Sequence, residues 1–416
     1  MKIIRRNFFL FIAAFHAAAL GVFCLGLWLF AACAAPVSRP PDLQGSQAAA
    51  EAGADHTAAE AALRRKIAQM LLVGFRGTEL TQDNHIYRDI TGLGIGGVLL
   101  FDYDMPSRSR PRNIKSKEQL TRLCTALQNA APAPLFIAVD QEGGRVNRLR
   151  SEYGFPAFLG ARDMAADSSG QTTKAQAEKT AALLFDMGIN LNFAPCVDLD
   201  LNPANPIIGA YGRSFSADPA EAVRHAALWI NAHRRRGIVS ALKHFPGHGS
   251  SAGDTHRGQV DITGLWQEAE LEPYRRLLGG GSGGPALSGN PVEYLMVMTS
   301  HVFHAGLDPQ NPATLSAPVL SGLLREKTGW RGIIVSDDMD MAAIKANYGF
   351  EEALEKAVNA GVDVLCLSNN GGAYDPLLAP RTAEALYRLV ETGRITAERI
   401  EESWNRIMAM KLTLGR

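Results

Sequence analysis

Cysteine is scarce. The 416-residue chain has five, at Cys24, Cys33, Cys124, Cys196 and Cys366. So few in so long a chain exclude a disulfide scaffold. Cys124, Cys196 and Cys366 fall in apolar helix or strand patterns and are expected as buried free thiols. A surplus of either charge is missing too, since 42 basic residues balance 42 acidic ones. No basic excess points to nucleic acid, and no acidic tail appears. Hydrophobic residues make up 46% and charged residues 20%, which excludes a disordered or collagen-like chain. The length suits one large barrel or two ordinary domains.

Charge is absent altogether from Phe8 to Ala32, just after Lys2, Arg5 and Arg6. A basic start followed by an apolar run is an export signal. The run ends in Leu29-Phe-Ala-Ala-Cys33, similar to a bacterial lipoprotein cleavage site with Cys33 acylated. A plain signal peptide and an uncleaved anchor stay open, because 25 apolar residues can span a bilayer. The expected product is exported and membrane-tethered, on the periplasmic or cell-surface side. Residues 34–59, rich in Ala, Pro, Ser and Gly, are expected as a flexible tether.

From residue 60 onward, short apolar runs alternate with helical patterns. The runs are Met70–Phe75, Gly97–Phe101, Leu135–Asp140, Ile189–Ala194, Val239–His244, Leu295–Thr299, Gly332–Asp337 and Val362–Leu367. They are apolar throughout rather than alternating, as parallel strands covered on both faces are. Helices are predicted over Lys117–Ala130, Thr173–Met187, Pro219–Arg236, Ala317–Lys327 and Glu352–Ala360. Eight such repeats predict a single α/β domain over 60–416, a (β/α)8 TIM barrel. A doubly wound open sheet is the alternative. In a barrel the chemistry sits at the C-terminal strand ends, where this sequence places its titratable residues.

Several motifs fail in context. Gly92-Leu-Gly-Ile-Gly-Gly97 satisfies G-x-G-x-x-G but precedes a strand, so it is a helix stop and turn. Gly280-Gly-Ser-Gly-Gly284 lies in the low-complexity stretch Gly279–Gly289 with no strand leading into the serine. Asp198-Leu-Asp200-Leu-Asn202 starts like a calcium loop, but Pro203 stands where glycine is required. His244, His248, Asp254 and His256 could hold zinc, yet Pro246, Gly247 and Gly249 argue for a loop rather than a helix face. Proton transfer is the preferred reading, with no metal and no cofactor expected.

What remains is a constellation. Asp337 and Asp338 are neighbours at a strand end, so only one can face the barrel mouth. A carboxylate there can be a nucleophile. Asp338 or Asp340 could instead cap the next helix. Asp254 and His256 stand two apart, so in an extended segment they share a side and the carboxylate can orient the imidazole. Asp140, Arg148, Lys243 and His244 supply donors and acceptors for a hydroxyl-rich ligand. One carboxylate nucleophile plus one proton donor is the minimum for double-displacement glycoside hydrolysis. Phosphoryl or acyl transfer could use the same parts.

Lys243-His-Phe-Pro-Gly-His-Gly249 followed by Asp254-Thr-His256 resembles the signature of β-N-acetylglucosaminidases of glycoside hydrolase family 3. So do Asp140-Gln-Glu-Gly-Gly-Arg-Val146 with Arg148, Gly212-Arg213-Ser-Phe, and Ser336-Asp337-Asp-Met. The resemblance covers residues 65–410. It implies a retaining mechanism, with Asp337 as nucleophile, His256 as acid/base and Asp254 orienting it. It implies sugar binding by Asp140, Arg148, Arg213, Lys243 and His244. The implied substrate is terminal N-acetylglucosamine, as in muropeptides from peptidoglycan. A β-glucosidase, a phosphorylase and an inactive wall-binding lipoprotein are the alternatives. Glu142 and Arg145 are expected to pair with each other, and His248 and His301 to support the site from behind.

Overall fold

A computed structural model describes residues 57–279, 287 and 289–414 of the chain. The apolar run 8–32, Cys33 and the Gly280–Gly284 motif lie outside the described residues.

Eight parallel strands form the centre. They are β1 (Leu71–Gly74), β2 (Gly97–Leu100), β3 (Phe136–Val139), β4 (Leu191–Asn192), β5 (Val239–Phe245), β6 (Leu295–Thr299), β7 (Ile333–Val335) and β8 (Leu365–Leu367). Hydrogen bonding runs in the order β8-β1-β2-β3-β4-β5-β6-β7. A parallel bridge between Val335 and Val364 then joins β7 to β8 and closes the ring. Closure excludes the open sheet. Register is carried by pairs such as Val98 with Ile137 and Val297 with Ile334. Every residue of the eight strands is buried, as the unbroken apolar runs require of strands covered on both faces.

The covering helices start where the sequence supplies caps. Ser116 accepts from Gln119 N–H and opens α1 (Lys117–Ala130). Gly170 precedes α2 (Gln171–Asp186), and Asp218 caps α3 (Pro219–Arg234) with proline in the first turn. α4 (Glu272–Leu278) follows. The segment expected as an α-helix over Ala317–Lys327 is α5 (Pro318–Lys327), a wider π-type helix for which we have no physical account. α6 (Phe350–Ala360), α7 (Leu378–Glu391) and α8 (Ala397–Lys411) complete the shell. Gly94, at φ 76°, ends a helical turn just before β2, as expected of the 92–97 glycines.

A further helix covers 57–69, so it begins inside the segment expected as tether. It is anchored by ion pairs Arg64–Glu384 (2.8 Å) and Lys66–Glu401, and it buries Ile67 completely. Lys411 closes the floor of the barrel, donating to Gln69 Oε1 (2.6 Å) and the Gly96 carbonyl (2.7 Å). At the opposite, C-terminal end, the loop after β5 lies against the loop after β4. A Cβ at Gly249 would fall 1.8 Å from the Leu199 carbonyl oxygen, so only glycine fits there. Val260–Asp261 pairs with Val302–Phe303, tying the β5 loop to the β6 loop.

Candidate active site

The residues expected at the mouth are gathered there by strand ends. Asp140 follows β3, Lys243 and His244 belong to the end of β5, and Asp337 lies two residues beyond β7. Arg148 and Arg213 reach in from the loops after β3 and β4. Lys243 Nζ stands 2.8 Å from Asp140 Oδ1 and 2.6 Å from Glu142 Oε1, with its side chain 2% exposed. Arg213 grips Glu142 with two parallel bonds, Nε to Oε2 (2.9 Å) and Nη2 to Oε1 (2.8 Å). Arg148 Nη2 is 3.8 Å from Asp140 Oδ2. Four of the five predicted sugar-binding residues, Asp140, Arg148, Arg213 and Lys243, therefore share one charged network with Glu142.

Glu142 is its hub, and this corrects the sequence reading. Glu142 pairs with Arg213 and Lys243, not with Arg145. Arg145 instead lies over the Tyr211 ring, 5.0 Å from its centroid. Burial pushes the Glu142 carboxyl up, but Arg213 and Lys243 outweigh it and hold it at about 2. The Lys243 ammonium is penalised by burial, yet Asp140 and Glu142 raise it above its ordinary value. Each buried charge keeps a partner, as burial demands.

Sequence reasoning assigned no role to Asp198. It is buried beneath the site, with Oδ2 2.6 Å from His244 Nδ1. Its Oδ1 accepts the His248 backbone N–H (2.8 Å). Arg213 Nη2 approaches His244 Nε2 from the other side at 3.3 Å. That geometry fits an imidazole donating through Nδ1 and accepting at Nε2. Cys196 also donates its thiol to Asp198 Oδ2 (3.3 Å). Cys196, Asp198 and His244 stand close enough to hold a metal. The donor set does not fit one well, because burial raises the Cys196 thiol well above its ordinary pKa and a thiolate would be needed. The signal for Asp198 was its place at a barrel strand end.

Asp337 donates its N–H to Thr299 Oγ1 (3.1 Å) and accepts the Asp338 N–H on Oδ1 (2.8 Å). It forms no ion pair among the described residues. Burial pushes its carboxyl up, but His301, His244 and His256 together pull it below the usual carboxylate value. Asp338 turns the other way, accepting the Ser368 N–H (2.9 Å) and the Ser368 hydroxyl after β8. Burial and the Asp340 charge raise it. Asp340 accepts the Asn369 N–H (2.9 Å). Neither aspartate caps a helix; both fasten the β7 loop to the β8 loop.

The Asp254–His256 pair forms, though not in extended chain. Asp254 Oδ1 accepts both the His256 backbone N–H (2.9 Å) and the ring Nδ1–H (2.7 Å), a tight turn. The ring stands 62% exposed, leaving Nε2 free toward solvent. Desolvation lowers the His256 pKa, but the Asp254 hydrogen bond and the Asp337 and Asp254 charges outweigh it and raise it. His301 donates from Nε2 to the Asp338 carbonyl (2.9 Å) and meets Thr314 at Nδ1 (2.8 Å). His248 meets Ser251 Oγ (2.8 Å). Both side chains are buried.

A closed parallel barrel with carboxylates and imidazoles at its C-terminal mouth is the layout in which barrel enzymes place their chemistry. The chain belongs to glycosyl hydrolase family 3: that family's N-terminal domain matches residues 62–410. A β-hexosaminidase A of Pseudoalteromonas piscicida is 32% identical over 353 residues, 78% of this chain and 54% of that protein. The chain thus spans about half the length of that relative. A β-hexosaminidase of Tolumonas auensis is 34% identical over 72% of this chain and 83% of its own. The structure of a family 3 β-N-acetylglucosaminidase from Paenibacillus sp. str. FPU-7 superposes with a TM-score of 0.73 at 32% identity, covering 84% of this chain and 62% of that one.

Proposed function

We propose that this glycoside hydrolase is a retaining exo-β-N-acetylglucosaminidase acting on terminal N-acetylglucosamine of muropeptides. One observation carries the reading. Asp337, held just beyond β7 by Thr299 Oγ1 and the Asp338 N–H and without an ion pair among the described residues, stands at the same barrel mouth as His256, whose Nδ1 is held 2.7 Å from Asp254 Oδ1. The β-hexosaminidase relatives support the substrate class.

The chemistry divides between the two groups. Asp337, held ionised, attacks the anomeric carbon as the bond to the leaving oxygen breaks. His256 Nε2–H protonates that oxygen. A covalent glycosyl-enzyme results. His256, now neutral, takes a proton from water, which attacks the same carbon and releases Asp337. Asp140, Arg148, Arg213, Lys243 and His244 hold the sugar hydroxyls. Arg213 and Lys243 bind Glu142 directly, Lys243 holds Asp140, and Asp140 meets Arg148, so the cradle is set before substrate arrives. The N-terminal run would hold the enzyme at the membrane on the exported side.

The test uses a chromogenic N-acetylglucosaminide, with and without phosphate. Free sugar formed at the same rate in both supports a hydrolase; sugar phosphate would make it a phosphorylase. A fluorinated N-acetylglucosaminide should label Asp337, and Asp337→Asn should lose several orders of magnitude in kcat. A label on Asp338 would show the neighbour to be the nucleophile.

A further inference from the structure

One buried acid is left over from the chemistry. Glu270, 1% exposed, lies in the turn just before α4, on the returning leg of the loop that follows β5. Its Oε2 accepts the Gly249 N–H (2.9 Å) and its Oε1 the Ser250 hydroxyl (2.5 Å), both on the outgoing leg. Trp266, also on the returning leg, donates its indole N–H to the Pro246 carbonyl (3.1 Å). The loop is thus closed on itself at a neck, and the chain beyond that neck carries Asp254 and His256. The fit at the neck is tight. A Cβ on Gly247, at φ 127°, would fall 2.6 Å from both Cβ and Oε2 of Glu270.

Charge pairing does not explain the acid. No cation pairs with Glu270 among the described residues. Burial pushes its carboxyl up and the Asp198 charge adds to the push, against the Ser250 and Gly249 bonds, to about 7. A buried acid without a cation costs stability. What Glu270 supplies is a pair of acceptors for two adjacent loop donors.

From the neck a short run of contacts leads to the Asp254–His256 pair. His248, next to Gly249, meets Ser251 Oγ at Nδ1 (2.8 Å) and Thr255 Oγ1 at Nε2 (3.5 Å). Thr255 is buried and stands between Asp254 and His256 in sequence. Its carbonyl accepts the Ala343 N–H (3.3 Å), which ties the pair to the segment beyond β7 that also carries Asp337. Glu270 itself bonds to loop donors alone, and to none of the groups given a chemical or sugar-binding part above.

We propose that Glu270 is a positioning residue for proton transfer: by clasping the neck of the β5 loop it holds His256 where Nε2–H reaches the leaving oxygen. This role rests on the hydrolase reading above, which it deepens.

The test compares two substrates. A displacement of about 1 Å can cost roughly 10²-fold in rate. In Glu270→Ala, kcat/KM should fall roughly tenfold further on a disaccharide, whose leaving oxygen needs the proton, than on a nitrophenyl glycoside, whose leaving oxygen does not. A variant that is merely less folded loses both substrates alike. Ser250→Ala, which removes one of the two bonds and disturbs the core less, should open a smaller gap in the same direction; it decides the matter if Glu270→Ala does not fold. Glu270→Gln should close most of the gap, because its amide can accept from Gly249 and donate to the Ser250 oxygen. Equal losses on both substrates, or no loss on either, overturn the clasp. Should the parent enzyme cleave no N-acetylglucosaminide, the hydrolase reading fails by itself, and trypsin decides the clasp. Arg257 follows His256 and its side chain is 88% exposed. Cutting after Arg257 should quicken roughly tenfold in Glu270→Ala, as two lost hydrogen bonds imply, and return toward the parent rate in Glu270→Gln. An unchanged rate at that bond, or a rise shared by every other cut, overturns the clasp.

Discussion

At the scale of single residues, His256 makes the sharpest demand. If its Nε2–H protonates the leaving oxygen, the need for it depends on how basic that oxygen is. A nitrophenolate leaves unaided, while a sugar alkoxide does not. His256→Ala should therefore lose far more kcat/KM on a disaccharide than on an aryl glycoside, by a gap approaching roughly 10²–10⁴-fold. Azide should restore turnover of the aryl substrate, because it attacks without a base. Equal losses without rescue would leave His256 a mere loop former. The pH profile is a second measure. Catalysis needs Asp337 ionised and His256 protonated. Asp337 is lowered, so the acid limb falls below the ordinary carboxylate range. His256 is raised, so the alkaline limb lies above the ordinary imidazole value. Asp254→Asn replaces the charged acceptor by a neutral amide oxygen and should move that limb to lower pH, leaving the acid limb in place. An alkaline limb that stays put in the variant would assign it to another group.

Elements matter because the cradle belongs to none of them alone. Glu142 from the β3 loop holds Arg213 from the β4 loop and Lys243 from β5, all buried. Glu142→Gln leaves two buried cations short of one charge, and breaking such a network costs about 3–5 kcal/mol. The folded Glu142 carboxyl lies near 2 against 4.5 when unperturbed. A depressed acid stabilises the fold above the unfolded pKa and loses that contribution as pH falls through the folded one. The melting temperature of Glu142→Gln should therefore drop at neutral pH, and the gap to the parent should narrow toward pH 2. A gap independent of pH would mean that packing, not charge, holds these loops. This element-level wiring was the part least legible in the sequence. The eight strands were readable because full burial leaves an unbroken apolar run. Helix α1 was readable end to end as Lys117–Ala130, and the structure adds its Ser116 cap. Asp140, Lys243 and Asp337 were readable because barrel chemistry lies at strand ends. The partner of Glu142 was not, since Arg145 is three residues away in sequence while Arg213 and Lys243 arrive only through the pairing of β3, β4 and β5. Asp198 was hidden for the same reason. Its histidine is 46 residues away.

For the whole molecule, where the barrel domain begins becomes a physical matter. The helix over 57–69 seats against α7 and α8 through Arg64 and Lys66. It buries Ile67 fully, and covering such a side chain stabilises by about 1.5–3 kcal/mol. A chain begun at Asp55 keeps that helix, while one begun at Met70 loses it and uncovers the strands beneath. We therefore expect the Asp55 form to match the full chain in melting temperature and in kcat/KM, and the Met70 form to melt lower. The full chain should sediment with membranes through its uncharged run from Phe8 to Ala32, and the Asp55 form should remain in the supernatant. Metabolic labelling with a fatty-acid precursor then separates the two modes of tethering. Label lost in Cys33→Ser identifies a lipoprotein, whereas membrane retention without label in either form identifies an anchor. A full chain that stays in the supernatant would remove the membrane from this account. An Asp55 form that melts well below the full chain would mean that residues before 55 cover part of the barrel.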